Sequence, residues 1–184
     1  MKVIDDFTNY VPQVGDIYLV KGTSWLARAI QFWMRVYLKR TGTITDFIPN
    51  HAATVINLWD VLMVAEANAK GIEARYTADE YIKNNKVVVM RVEQPVDSDW
   101  SKYATQYFAI PHRYDVFNFF YQMIMILSGK WIGPKGHKAE RRIYCSEYVA
   151  ILLDKCYDLY DSTFDKNPID IYFTKGLTEI TRNF

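Results

Sequence analysis

The sequence predicts an α+β domain in which an antiparallel sheet packs against helices, and three observations lead there. β-rich runs crowd residues 51–92 and lack the helical crossovers that parallel strands need. Helical periodicity takes over in the second half of the chain. The whole, 184 residues at 50% hydrophobic and 23% charged, is the size of one domain (1–184) that buries a core without metal or disulfide staples.

The elements follow in order. VGDIYLV, 14–20, is the first core strand, reached through Gly15 and Asp16. In SWLARAIQFWMRVYLKR, 24–40, Trp25, Ala29, Phe32, Val36 and Tyr37 recur at helical spacing, with Arg28, Arg35, Lys39 and Arg40 on other faces. Gly42 and Pro49 break that pattern ahead of HAATVIN, 51–57, a strand. LMVAEA, 62–67, and a short run after the turn at Gly71 are further strands. TADEYIKNN is a small helix capped by Thr77, and KVVVMRV, 86–92, is the most β-branched run of the chain. Helices are expected over 97–110, stopped by Pro111, and over 114–129, closed by Gly129. A Gly/Lys loop leads to the helix of YCSEYVAILLDKC, and the tail from 165 onward reads as irregular but apolar enough to pack back on the domain.

Charge excludes little. A net charge of +1 gives no field that argues for nucleic acid, and neither a P-loop, zinc spacing nor a recognition-helix pattern is present, so no nucleic-acid partner, metal or cofactor is expected. MKVIDDFTNYVPQVGD lacks the apolar stretch of a secretory signal, and VFNFFYQMIMIL is too short to span a bilayer. A soluble, cytoplasmic protein is expected, with association with a virion or envelope left open.

Chemistry concentrates on Cys145. Cysteine is among the most buried residue types, so inert packing is its ordinary role. Against that, the first turn of a helix offers free N–H groups and the positive end of the dipole, which favour thiolate and supply oxyanion donors. Cys156, near the other end of the same helix, lies roughly 16 Å away at about 1.5 Å per residue, too far for a disulfide, and is assigned to packing. A nucleophile needs a base. His137 lies in the Gly/Lys loop and His112 follows Pro111, whereas His51 opens a strand, where a ring is held rigidly. Glu66 is an acidic residue inside an apolar strand that pairs with the His51 strand, and a buried carboxylate needs a partner; the alternative is that it faces solvent.

In their order these pieces resemble the circularly permuted NlpC/P60 cysteine hydrolases, papain-like proteins of the YiiX/YebB type. GDIYL (15–19) resembles the family's opening strand, NHAATVI (50–56) its histidine strand, and VAEA (64–67) the strand of the third member. YCSEYVA (144–150) is similar to its cysteine helix, and NPIDIYFT (167–174) to its closing segment. The similarity spans nearly the whole chain. The departures are Tyr148 in place of the usual Leu and the helix at 24–40, inserted ahead of the histidine strand. The resemblance implies a permuted papain-like core and a triad of Cys145, His51 and Glu66 that cleaves an amide or ester through an acyl-enzyme. Backbone N–H groups of Cys145 and Ser146 are the expected oxyanion donors, with Tyr144 assisting. Asp16, Trp25, Tyr114 and Arg142 are expected to meet substrate. That substrate is peptide-like, including peptidoglycan-like, or lipid-like. Helix 24–40 is read as ordinary core packing, with a lipid or envelope surface as its alternative. An inactive binding module remains the competing class.

Overall fold

The computed structural model of the protein describes residues 9–68, 70–108, 121, 123–125, 128, 143–163 and 165–183. Six strands form one sheet: β1 (Ile17–Val20), β2 (His51–Leu58), β3 (Val61–Asn68), β4 (Gly71–Thr77), β5 (Val87–Val92) and β6 (Leu177–Arg182). Their order is β4-β3-β2-β1-β5-β6 and every pairing is antiparallel. The helices among the described residues that position the site are α1 (Trp25–Thr41), α2 (Ala78–Asn84), α3 (Trp100–Gln106), α4 (Cys145–Tyr157) and α5 (Pro168–Tyr172).

The sheet is covered on both faces, which is why its central strands read as unbroken apolar runs. Ile17 and Leu19 point to one side, where Ala52, Val88 and Met90 meet Trp100 of α3 and Tyr148, Val149, Leu152 and Leu153 of α4. Tyr18 and Val20 point to the other, where Ala53, Val55 and Val89 meet Tyr81 and Ile82 of α2. Each such large side chain contributes about 1.5–3 kcal/mol on burial, so the sheet and α4 make one rigid frame.

β2 and β3 form a hairpin through Trp59 and Asp60, whose φ angles of 51° and 62° give the twist that a two-residue turn needs. This tight turn fixes the register, with Ala53 opposite Glu66. Helix α1 stops at Gly42, whose φ of 71° is the left-handed cap the sequence signals.

The tail departs from expectation. Instead of being irregular, it forms α5 and the edge strand β6, which pairs with β5. Asn167 caps α5 by accepting from the N–H groups of Ile169 and Asp170, and Pro168 opens the helix. Five residues are too few to show helical periodicity, and LTEITR, mostly half-buried at a sheet edge, has little alternation to read. The expected helix over 97–110 is shorter, Trp100–Gln106. That over 114–129 falls mostly, and the loop 130–142 wholly, outside the described residues. Among the described residues no helix is long and apolar enough to cross a membrane.

Candidate active site

The first residue of β2 meets the first residue of α4. His51 heads its strand, and Cys145 opens its helix behind Tyr144, which makes no side-chain cap bond. The N–H groups of the first helical turn have no acceptor within the helix itself. The Cys145 sulfur sits beside the Ser146 N–H of that turn, the Ala52 N–H of β2 and the His51 ring, all of which favour its thiolate.

His51 Nε2 lies 2.8 Å from Glu66 Oε2. That leaves Nδ1 as the nitrogen for the thiol. Glu66 is not directly opposite His51; it faces Ala53, two residues on, and reaches the ring diagonally along one face of the hairpin. The structure thus brings the three expected residues together, with the imidazole in the middle.

The electrostatics follow from this placement. Burial pushes the Cys145 thiol up, but the His51 charge, its hydrogen bond and the Ala52 and Ser146 N–H groups outweigh it, and the thiol is lowered. Burial disfavours a charged His51, yet the facing Cys145 thiolate and then Glu66 raise it to about 10. Burial likewise opposes the Glu66 carboxylate, but hydrogen bonds and charge from His51, with Tyr81 and Asn68 assisting, hold it at about 2. Cys156 behaves oppositely: burial, followed by Asp97 and Asp99, pushes it up to about 11.

One contributor escaped the sequence reading. Tyr81 of α2 donates its hydroxyl to Glu66 Oε2 at 2.7 Å, sharing that oxygen with His51. Nothing in TADEYIKNN distinguishes Tyr81 from a helix packing residue. A cleft of about 520 Å³ opens at His51 and Glu66, walled by Asn50, Gly22, Tyr76 and Tyr81. Cys145 itself is only 4% exposed.

The remaining expected residues fare differently. The Tyr144 hydroxyl donates to the Lys166 carbonyl at 2.6 Å, beside that of Ser146 at 2.9 Å, so both hydroxyls are turned to the backbone at Lys166 instead of to an oxyanion. Asp16 is fully buried and its carboxylate is taken by Arg91 at 2.6 and 2.9 Å, by the Tyr10 hydroxyl and by the Gln13 N–H. It ties β1 to Arg91 of β5 and does not line the cleft at His51. Trp25 is 81% exposed on α1 and does not line the cleft. Tyr114, Arg142, His112 and His137 lie outside the described residues.

No family model and no curated protein matches the sequence. A solved structure does resemble it: the metalloprotein yiiX from Escherichia coli O157:H7, at 17% identity and a TM-score of 0.63, covering 95% of this chain and 99% of that one. The fold is YiiX-like. At that identity the likeness is one of architecture and carries no chemistry with it.

Proposed function

We propose that the protein is a cysteine hydrolase of the permuted NlpC/P60, papain-like kind, with Cys145 as nucleophile, His51 as acid and base, and Glu66 as the group that orients His51. The observation that carries this reading is the imidazole held between the Cys145 thiol and the Glu66 carboxylate, with Nε2 at 2.8 Å from Oε2.

The chemistry runs in two halves. The Cys145 thiolate adds to an amide or ester carbonyl, forming a C–S bond, and the oxyanion draws on N–H groups at the start of α4. As the tetrahedral adduct collapses, the C–N or C–O bond breaks and the His51 imidazolium gives its proton to the leaving amine or alcohol. Neutral His51 then takes a proton from water, whose oxygen attacks the thioester. The C–S bond breaks, the acid departs, and the thiolate–imidazolium pair returns. Glu66 keeps Nε2 protonated throughout, so that Nδ1 alone exchanges protons with the reacting atoms. Passing the acyl group to an amine or alcohol in place of water would make the same site an acyltransferase.

The yiiX protein is described as a metalloprotein. Among the described residues no group of three or more His, Cys, Asp or Glu side chains is arranged to hold a metal ion. Glu66 Oε2 is already engaged by His51 Nε2 and the Tyr81 hydroxyl, so that oxygen is not presented to a metal, and no step here is routed through one.

The experiment is alkylation by iodoacetamide at neutral pH, resolved by peptide mass spectrometry, alongside turnover of fluorogenic amide and ester probes. Cys145 should label ahead of Cys156 and slow sharply in His51→Ala, with turnover lost in Cys145→Ser. Equal labelling of the two cysteines, unchanged in His51→Ala, would rule the nucleophile out and leave the inactive-module reading.

A further inference from the structure

We propose that the outward face of α1 docks on an anionic lipid bilayer. The inward face is settled: Ala27, Gln31, Met34 and Leu38 are buried, the last two against Ile169. The opposite side carries Trp25, Ala29 and Phe32, the i, i+4 and i+7 positions of one stripe, before the line closes at Val36, which is half-buried against the inner cluster. Trp25 is 81% and Phe32 55% exposed. Core packing, the role expected for this helix, accounts for the inner face and for Ile30, Trp33, Val36 and Tyr37 beside it, but not for Trp25 and Phe32.

The flank of the stripe identifies the partner. Arg28, Arg35 and Lys39 are exposed along it, and among the described residues they have no acidic partner. Helix α1 contains no aspartate or glutamate at all. A helix lying in a bilayer surface has this construction, with aromatic side chains at the acyl boundary and basic ones among anionic head groups. A second copy of the chain fits poorly, because stacking two such faces sets Arg28, Arg35 and Lys39 against their own like charges with no carboxylate on the helix to separate them.

Docking would bear on the cleft. Gln31, on the inner face, donates to the Gly22 carbonyl at 2.9 Å and to Asn50 Oδ1 at 3.1 Å, and Asn50 Oδ1 also accepts the Gly22 N–H at 2.6 Å. Gly22 and Asn50 are part of the cleft wall, and Asn50 precedes His51. A docked α1 therefore holds the cleft rim beside the lipid. The inference does not depend on Cys145 being a nucleophile.

The test is co-sedimentation of the full chain with unilamellar vesicles of phosphatidylcholine alone or with phosphatidylserine. The protein should pellet with the serine lipid at low salt, release at high salt, and stay in solution with pure phosphatidylcholine. Trp25→Ser with Phe32→Ser should weaken partition by about tenfold or more. Arg28→Glu with Arg35→Glu should weaken it by at least about twentyfold, each basic residue being worth roughly fivefold. Unchanged thermal unfolding midpoints separate lost binding from lost fold, and if the aromatic pair unfolds the arginine pair decides. A chain that ignores phosphatidylserine vesicles, variants that bind like the parent, or Phe32-dependent self-association without vesicle binding would each overturn the proposal.

Discussion

The Tyr81 hydroxyl donates to Glu66 Oε2 at 2.7 Å, and that same oxygen faces His51 Nε2 at 2.8 Å. Two donors on one carboxylate oxygen fix where it sits and favour its ionised form. Tyr81→Phe keeps the ring against Tyr18 and Tyr76 and removes only the donor. Stability should fall by about 1–2 kcal/mol in urea unfolding. If His51 loses a unit of basicity as Glu66 swings, Cys145 alkylation near neutral pH should slow up to about tenfold. An unchanged alkylation profile would confine Tyr81 to packing.

The pH dependence has a defined sign. Glu66, lowered to about 2, lends stability that is present above its unfolded value near ~4.3 and lost as pH falls toward 2. His51, raised to about 10, lends stability that is present below its unfolded value near ~6.5 and lost as pH rises through 10. The lowered Cys145 thiol lends stability present above its unfolded value and lost as pH falls through the folded one. The thiolate–imidazolium pair therefore persists from below the ordinary thiol range to about 10. Cys145 alkylation should already be fast at neutral pH, whereas Cys156 should label only as pH climbs toward 11. Parallel profiles for the two cysteines would sink the ion-pair reading.

Glu66→Gln preserves shape and removes charge. Its amide can meet Nε2 as a donor, which would force the ring proton to Nδ1, the nitrogen that must accept from Cys145. Turnover of the amide probe should drop by about 10²–10⁴-fold with little change in KM. The His51 titration, followed by NMR, should move down from about 10. A variant with parental turnover would show that Glu66 does not select the tautomer.

Sheet and site were legible to different depths in the sequence. The β2–β3 pairing was readable because HAATVIN and VAEA flank the short NLWDV connection, and from that pairing follows the approach of Glu66 to His51. Cys145 at a helix N-terminus was readable because the apolar pattern of YCSEYVAILL begins there. Tyr81 was not, since its role depends on α2 packing over the face of the sheet that carries Tyr18, a tertiary fact with no local pattern. The ion pair of Asp16 was unreadable for the same reason: its partner Arg91 sits on β5, beside β1 only once the sheet is assembled.

Arg91 grips Asp16 in a two-point contact, and Asp16 is entirely out of water, so Arg91→Ala would leave a buried carboxylate facing only the Tyr10 hydroxyl and the Gln13 N–H. Losing one partner of such a pair costs about 3–5 kcal/mol. The protein should unfold at markedly lower denaturant. Asp16→Asn should cost less, because it removes the charge that needs the pairing and keeps an acceptor for Tyr10 and Gln13. Neither residue lines the cleft at His51, so whatever fraction of Asp16→Asn remains folded should keep the parental KM for the amide probe. A raised KM at parental stability would return Asp16 to the substrate.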